Sequence, residues 1–212
     1  MKNLFWDVFT YIGTIAFAIS GALAACGARS QYNIIGFYVL GFATSFAGGI
    51  IRNILIEAPV SDVWKNQDLL IAALVAMTVL FLFPNKTMDQ WRIWGNITDA
   101  IGLSAFAIQG ALYAQSLHQP VSAVIVSAVL TGVGGGIVRD LLVRKQPLVF
   151  KSDLYAFWAL IPGVLIGFRL IEGNIAMYSL FGSIIVLRMV SLYFRWSLPK
   201  HLIAKQIFSK EN

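Results

Sequence analysis

The chain has 212 residues, 58% of them hydrophobic and 12% charged, with a net charge of +6. Globular domains run at about 45–50% apolar and about 25% charged, so a soluble globule is excluded and an all-α, polytopic membrane protein is expected. The basic excess does not point to nucleic acid, because it clusters in short loops as the positive-inside rule requires. The alternating strands of an outer-membrane barrel are missing from the pattern. A single cysteine, Cys26, leaves no internal disulfide and no thiolate metal cluster.

The first predicted span covers about 8–28 and carries Thr10, Gly13, Thr14, Ser20 and Gly21. Small residues let helices approach closely in lipid. Lys2, an apolar run and Leu23-Ala24-Ala25-Cys26 together resemble a lipoprotein signal. However, Phe17-Ala-Ile-Ser-Gly-Ala-Leu-Ala-Ala25 recurs in mid-chain as Phe106-Ala-Ile-Gln-Gly-Ala-Leu-Tyr-Ala114. A signal cannot sit there, so the segment is read as a retained helix. The second span, 34–56, sets Tyr38, Gly41, Ser45 and Gly48 on one face, with Thr44 beside it. Pro59 stops it. The third, 69–83, is short and almost wholly apolar.

The fourth span, 98–117, opens on Asp99 and repeats the pattern of the first. The fifth, 121–143, places Ser127, Thr131 and Gly135 four residues apart on one face. The sixth, 154–168, holds Pro162, with Gly163 and Gly167 at GxxxG spacing. That pair reads either as a helix contact or as a seam between subunits. The seventh, 174–193, has no earlier counterpart, and Arg188 near its end is expected to snorkel to the interface.

The doubled elements align spans one to three with four to six. Phe106 lies 89 residues after Phe17, and Arg139 lies 87 after Arg52. Three spans per copy give the halves opposite senses, an inverted-topology repeat. The expected organisation is one transmembrane domain over 1–195, with repeats at about 7–84 and 96–170, a seventh helix at about 174–195, and a basic tail over 196–212. With the C-terminus cytoplasmic, eleven basic residues face inward and four outward. This bias places the N-terminus outside a bacterial-type inner membrane.

Gly48-Gly49 and Gly134-Gly135-Gly136 sit inside spans two and five. Glycine clusters weaken a helix, and freed backbone groups survive in hydrocarbon only beside protein or a watery cavity. Matching interruptions in two halves point to a binding or permeation site near the midplane. Each span is therefore expected to stop and restart at its glycines. Carbonyls and hydroxyls replace water around an alkali cation, which makes Thr44, Ser45, Ser127 and Thr131 candidate lining groups. The competing reading bonds each hydroxyl back to its own helix.

Arg52 and Arg139 follow the glycines by three positions. A charge near hydrocarbon is rare and as a rule functional. Arg139 is thus a candidate gate; the alternative makes both arginines interface anchors. Asp140 adjoins Arg139, but neighbouring helical residues face apart, so their pairing calls for a distorted helix. Asp99 reads as a cation attractor or as a helix N-cap. His118 and His201 are too few and too isolated for a metal site or triad. Gly132-Val-Gly134 has no strand before it. No enzyme, cofactor or resident metal is expected.

The doubled Phe-Ala-Ile-x-Gly-Ala-Leu and Gly-Gly-Ile-x-Arg-(Asn/Asp)-x-Leu elements resemble those of the prokaryotic trimeric intracellular cation (TRIC) channels. These are related to small bacterial inner-membrane proteins sometimes described as glycine transporters. The resemblance covers about residues 7–195. It implies a homotrimer in membrane lipid with a separate pore in each protomer, built around the kinked second and fifth helices. It implies passage of monovalent cations, chiefly K+ with some Na+. The main alternative is a secondary carrier for a small amino acid such as glycine. Family members usually carry an aspartate ahead of the first glycine of each half, as in Asp99-Ala-Ile-Gly102. The first half departs from this pattern. It has Thr10-Tyr-Ile-Gly13 with Asp7 one turn earlier, Ala47 for a glycine, and Asn53 for the second aspartate.

Overall fold

The computed structural model describes residues 4–27, 32–61, 65–83, 90–151, 154–194 and 196. Among these residues it is entirely helical. The elements are α1 (Leu4–Gly27), α2 (Ile34–Leu55), α3 (Gln67–Leu82), α4 (Trp91–Ser116), α5 (Val121–Leu142), the single turn α6 (Leu148–Lys151), α7 (Leu154–Gly167) and α8 (Asn174–Tyr193). Five of them, α1, α2, α4, α5 and α8, are long and apolar enough to cross a membrane. The apolar α3 and α7 have 16 and 14 residues. At 1.5 Å per residue they reach about 24 and 21 Å, less than a hydrocarbon core of about 30 Å. The loop residues Arg29 and Lys86, and the expected tail apart from Trp196, lie outside the described residues.

The helix ends follow from local chemistry. Asn33 caps α2, its side chain accepting from the Gly36 N–H at 2.9 Å. Four helices end in the same left-handed residue: Glu57 after α2, His118 after α4, Arg144 after α5 and Arg169 after α7, each with φ of 53–54°. In each case the next N–H turns back to a carbonyl five residues earlier, as from Ala58 to Asn53 at 2.9 Å and from Lys145 to Asp140 at 2.8 Å. This is a Schellman stop made without the glycine that usually occupies it. α4 begins seven residues ahead of Thr98, so the tryptophan-rich approach is itself helical. Asp99 therefore lies in the third turn of α4 and is not an N-cap, which corrects that reading.

α1 and α4 occupy the middle of the bundle, while α8 packs on its outside. α4 is buried almost continuously from Asp99 to Ala111. Phe9, Ile108 and Ile166 centre one apolar cluster, Phe17, Leu103 and Tyr155 a second, and Leu40, Ala73 and Met77 a third. The GxxxG pair of α7 packs inside the chain. A β-carbon on Gly163 would stand 2.8 Å from Cα of Ile125, and one on Gly167 3.2 Å from Val121. The pair is thus a helix contact between α7 and α5 rather than a seam between subunits.

The glycine clusters also differ from expectation. α2 and α5 are continuous helices through Gly48-Gly49 and Gly134-Gly135-Gly136, with no stop and restart. The missing side chains serve the crossing of these two helices. A β-carbon on Gly48 would stand 2.5 Å from the Thr131 carbonyl, and one on Gly134 2.9 Å from Cα of Gly48. One on Gly135 would run into the Thr44 carbonyl. The ladder survives because backbone contact between the helices offsets the low helix propensity of glycine.

Candidate functional site

Two cavities carry polar side chains in their walls. The first, about 230 Å3, is lined by Thr10, Thr14, Ser45, Gly49, Arg52, Asn53, Gln109, Tyr113 and Thr131, among others. The second, about 580 Å3, is lined by Ser20, Trp91, Arg92, Asp99, Arg139, Asp140, Lys145 and Lys151, among others. Thr14 and Ser20 are six residues apart on α1, so the cavities open towards opposite ends of that helix. Phe17 stands between them and meets Phe106 edge-on, with ring centroids 5.2 Å apart. Gly135 packs against Phe17 at the same level.

Each cavity holds one of the paired arginines, and both are buried within protein. They are not interface anchors. At the second cavity Arg139 Nη1 donates to Asp99 Oδ1 and to Ser20 Oγ, both at 2.7 Å. Arg139 Nε donates to Asp140 Oδ1 at 2.9 Å. The helix is undistorted there, so the long side chain alone curls back onto its neighbour, against the expectation from adjacency. Asp140 Oδ2 accepts the Leu148 N–H at 3.0 Å and ties down the loop that leads into α6. The Tyr155 hydroxyl donates to Asp99 Oδ1 at 3.1 Å. Gly136 makes room for it, since a β-carbon would stand 2.5 Å from that hydroxyl. At the rim, Lys145 lies 4.8 Å from the centre of the Trp91 ring. Burial pushes its ammonium below the ordinary lysine value, against the pull of Asp140.

At the first cavity Arg52 repeats the gesture, and two of its partners are side-chain amides. Its Nε and Nη2 donate to Asn53 Oδ1 at 3.0 and 2.8 Å, and its Nη1 donates to Gln109 Oε1 at 2.8 Å. The guanidinium lies 4.1 Å from the centre of the Tyr113 ring. Asn53 Nδ2 donates to the Pro59 carbonyl at 2.8 Å and holds the loop after α2.

The four candidate hydroxyls divide. Ser45 and Thr131 line the first cavity; Thr44 and Ser127 line neither. Thr44 and Thr131 bond to their own helix carbonyls, at Leu40 and Ser127, at 2.7 and 2.6 Å. Ser45 bonds to the Thr14 and Gly41 carbonyls, both at 3.0 Å. Ser127 Oγ meets no hydrogen-bond partner among the described residues. Of the glycines, Gly49 alone of the five faces open space, a cavity wall, with Arg52 Nη2 3.8 Å from a built β-carbon.

A family model described as Glycine transporter matches residues 7–85 and again residues 96–170. The UPF0126 membrane protein YvgT of Bacillus subtilis is 49% identical, over 92% of this chain and 95% of its own. The chain belongs to this glycine-transporter family. The UPF0126 inner membrane protein YadS of Escherichia coli K12 is 30% identical, over 88% of this chain and 90% of its own. The solved structure of a prokaryotic TRIC channel in 0.5 M KCl matches with a TM-score of 0.81 at 31% identity, over 91% of this chain and 98% of that one. The resemblance carried by the doubled elements therefore holds at the level of fold as well.

Several partners escaped the sequence reading. Ser20 and Gln109 are the variable position of the doubled Phe-Ala-Ile-x-Gly-Ala-Leu element. Each reaches the arginine of the other half. The signal was present: an otherwise identical repeat diverges at one polar position. Tyr113 is the next divergent position, opposite Ala24, and carried a similar mark; Tyr155 carried none. Arg188 was misplaced. It is 1% exposed and does not snorkel; its guanidinium lies 4.5 Å from the centre of the Tyr155 ring.

Proposed function

We propose that the protein is a monovalent cation channel, passing chiefly K+. We take it to be a homotrimer in the bacterial inner membrane, with one pore in each protomer. Seven spans, arranged as an inverted three-helix repeat plus α8, carry the path. The path runs from the cavity of Arg52 to that of Arg139, through the crossing of α2 and α5. The observation that carries this reading is the pair of cavities with polar side chains in their walls, one holding Arg52 and the other Arg139, with Phe17 on α1 between the residues that line them and edge-on to Phe106. The structural neighbour crystallised in KCl, described as a TRIC channel, supports it. By the charge bias of the loops, the Arg139 cavity faces the cytoplasm and the N-terminus lies outside.

Arg139 serves as the gate. It fills the inner cavity with charge and is held by two carboxylates, so a cation passes only when that guanidinium is displaced. The role is conduction, with no catalytic step. A second reading has its own support in the description of the family model. Two cavities with a thin barrier between them also suit a carrier that exposes a glycine site alternately to each side.

Purified protein in planar bilayers separates the two. Stepwise K+ currents support the channel. Saturable glycine uptake without unitary steps replaces it with the carrier.

A further inference from the structure

Arg188 is the least satisfied charge in the described structure. It belongs to α8, is 1% exposed, and its Nε and Nη1 find no hydrogen-bond partner. A buried donor left without a partner costs free energy. The contact with the Tyr155 ring, 4.5 Å away, offsets part of that cost. Its surroundings supply a reason to keep it. The hydroxyl of the same Tyr155 donates to Asp99 Oδ1, the oxygen that also accepts from Arg139. Arg188 thus lies over the ring whose hydroxyl bonds the same Asp99 oxygen that Arg139 holds. Asp99, Asp140 and Arg139 together carry one net negative charge, offset by Lys145 at the cavity rim and by Arg188 behind Tyr155.

We propose that Arg188 is the reserve partner of Asp99. When Arg139 leaves the carboxylate, Arg188 turns past the edge of Tyr155 and takes its place, so the ion pair is exchanged rather than broken. Breaking a buried ion pair by removing one partner is strongly unfavourable, which holds Arg139 in place. An exchange that keeps Asp99 paired removes most of that barrier. It also keeps a bare carboxylate from trapping a cation in the inner cavity. The device is one-sided. At the first cavity the position matching Asp99 is Thr10, and the first half has no counterpart of α8. The gating consequence rests on the channel reading above; the exchange itself does not.

The test is a mutational cycle read by thermal melting of the purified protein in detergent, which needs no conduction. Arg139→Ala and Arg188→Met are made singly and together, and Asp99→Asn is then added to the pair. The expected result is that the double variant melts lower than the two single shifts combined by about 5 °C or more. Adding Asp99→Asn recovers most of that excess, because no carboxylate is left to strand. Arg188→Lys, which keeps a positive charge, restores the behaviour of the Arg139→Ala single variant. Strictly additive shifts, or an excess that Asp99→Asn leaves untouched, overturn the proposal. So does an Arg188→Met protein that fails to assemble with Arg139 present, since Arg188 is then a residue that holds the fold. In bilayers, Arg188→Met is expected to lower open probability about tenfold with the current step unchanged; an unchanged open probability contradicts the gating role. A wild-type protein without K+ steps defeats the channel reading and leaves the melting cycle to decide the exchange.

Discussion

The two arginine sites start from nearly the same sequence and end with different electrostatics. Arg52 and Arg139 both follow a glycine cluster by three residues. Both fork onto the next side chain, and both reach across to the other half. Arg139 is met by two carboxylates and a serine; the partners of Arg52 include two side-chain amides and a tyrosine ring. Four substitutions between the copies make the difference: Asp140 against Asn53, Asp99 against Thr10, Ser20 against Gln109, and Ala24 against Tyr113. The repeat supplies a scaffold, and those positions give Arg139 two carboxylates where Arg52 has amides and a ring.

The largest effect expected from breaking this scaffold is at the crossing both sites share. Gly135→Val drives two methyls toward the Thr44 carbonyl and Phe17. It is expected to cost about 3 kcal/mol or more, seen as lost assembly on size-exclusion chromatography. Gly49→Ala, facing the first cavity, is expected to assemble normally. Equal damage at both positions would mean that the glycines do not act through the crossing.

Next in size is a test of the latch itself. Asp99→Ala leaves a buried guanidinium short of a partner and is expected to cost about 3–5 kcal/mol. Gln109→Ala removes one hydrogen bond to a charge and is expected to cost about 1.5–3 kcal/mol. Thermal melting of the two variants, with Asp99→Ala the lower, sharpens the comparison. The reverse order would break it.

The sequence made the bundle legible and the site only half so. Apolar runs, Pro59 and the loop charges placed six apolar segments within four residues of the helices found; the remaining one, α4, begins seven residues before its expected start. The doubled Gly-Gly-Ile-x-Arg element singled out two of the three buried arginines among the described residues. What it could not convey was the use of the glycines. The same cluster weakens a helix in isolation and cements it when another backbone lies across it, and only the tertiary neighbour tells which. Arg188 was misread for a similar reason. Its place near a helix end suits snorkelling, until Tyr155 of α7 is known to lie under it. The pairing of Arg139 with Asp140 was underrated because adjacency was judged from Cβ directions, while a long guanidinium reaches back over its own turn.

A smaller effect concerns gating. Arg139→Ala is expected to change open probability several-fold while leaving the K+/Na+ permeability ratio nearly unchanged, read from single-channel records and reversal potentials. Arg52→Ala, at the amide-held end, is expected to change open probability less. The smallest effects lie among the hydroxyls. Ser45→Val and Thr131→Val are expected to alter unitary conductance with assembly intact. Thr44→Val and Ser127→Val, which line neither cavity, are expected to leave it unchanged.

The central claim is that ions pass where α2 crosses α5, beside Thr131. It is tested most directly by placing Thr131→Cys in a Cys26→Ser background and adding a small, positively charged thiol reagent to single channels in bilayers. The account predicts stepwise, irreversible block that high K+ slows, with no block when the cysteine is placed at the exposed Val126. Currents that persist unaltered while Thr131→Cys is shown by mass to be modified would put the path elsewhere.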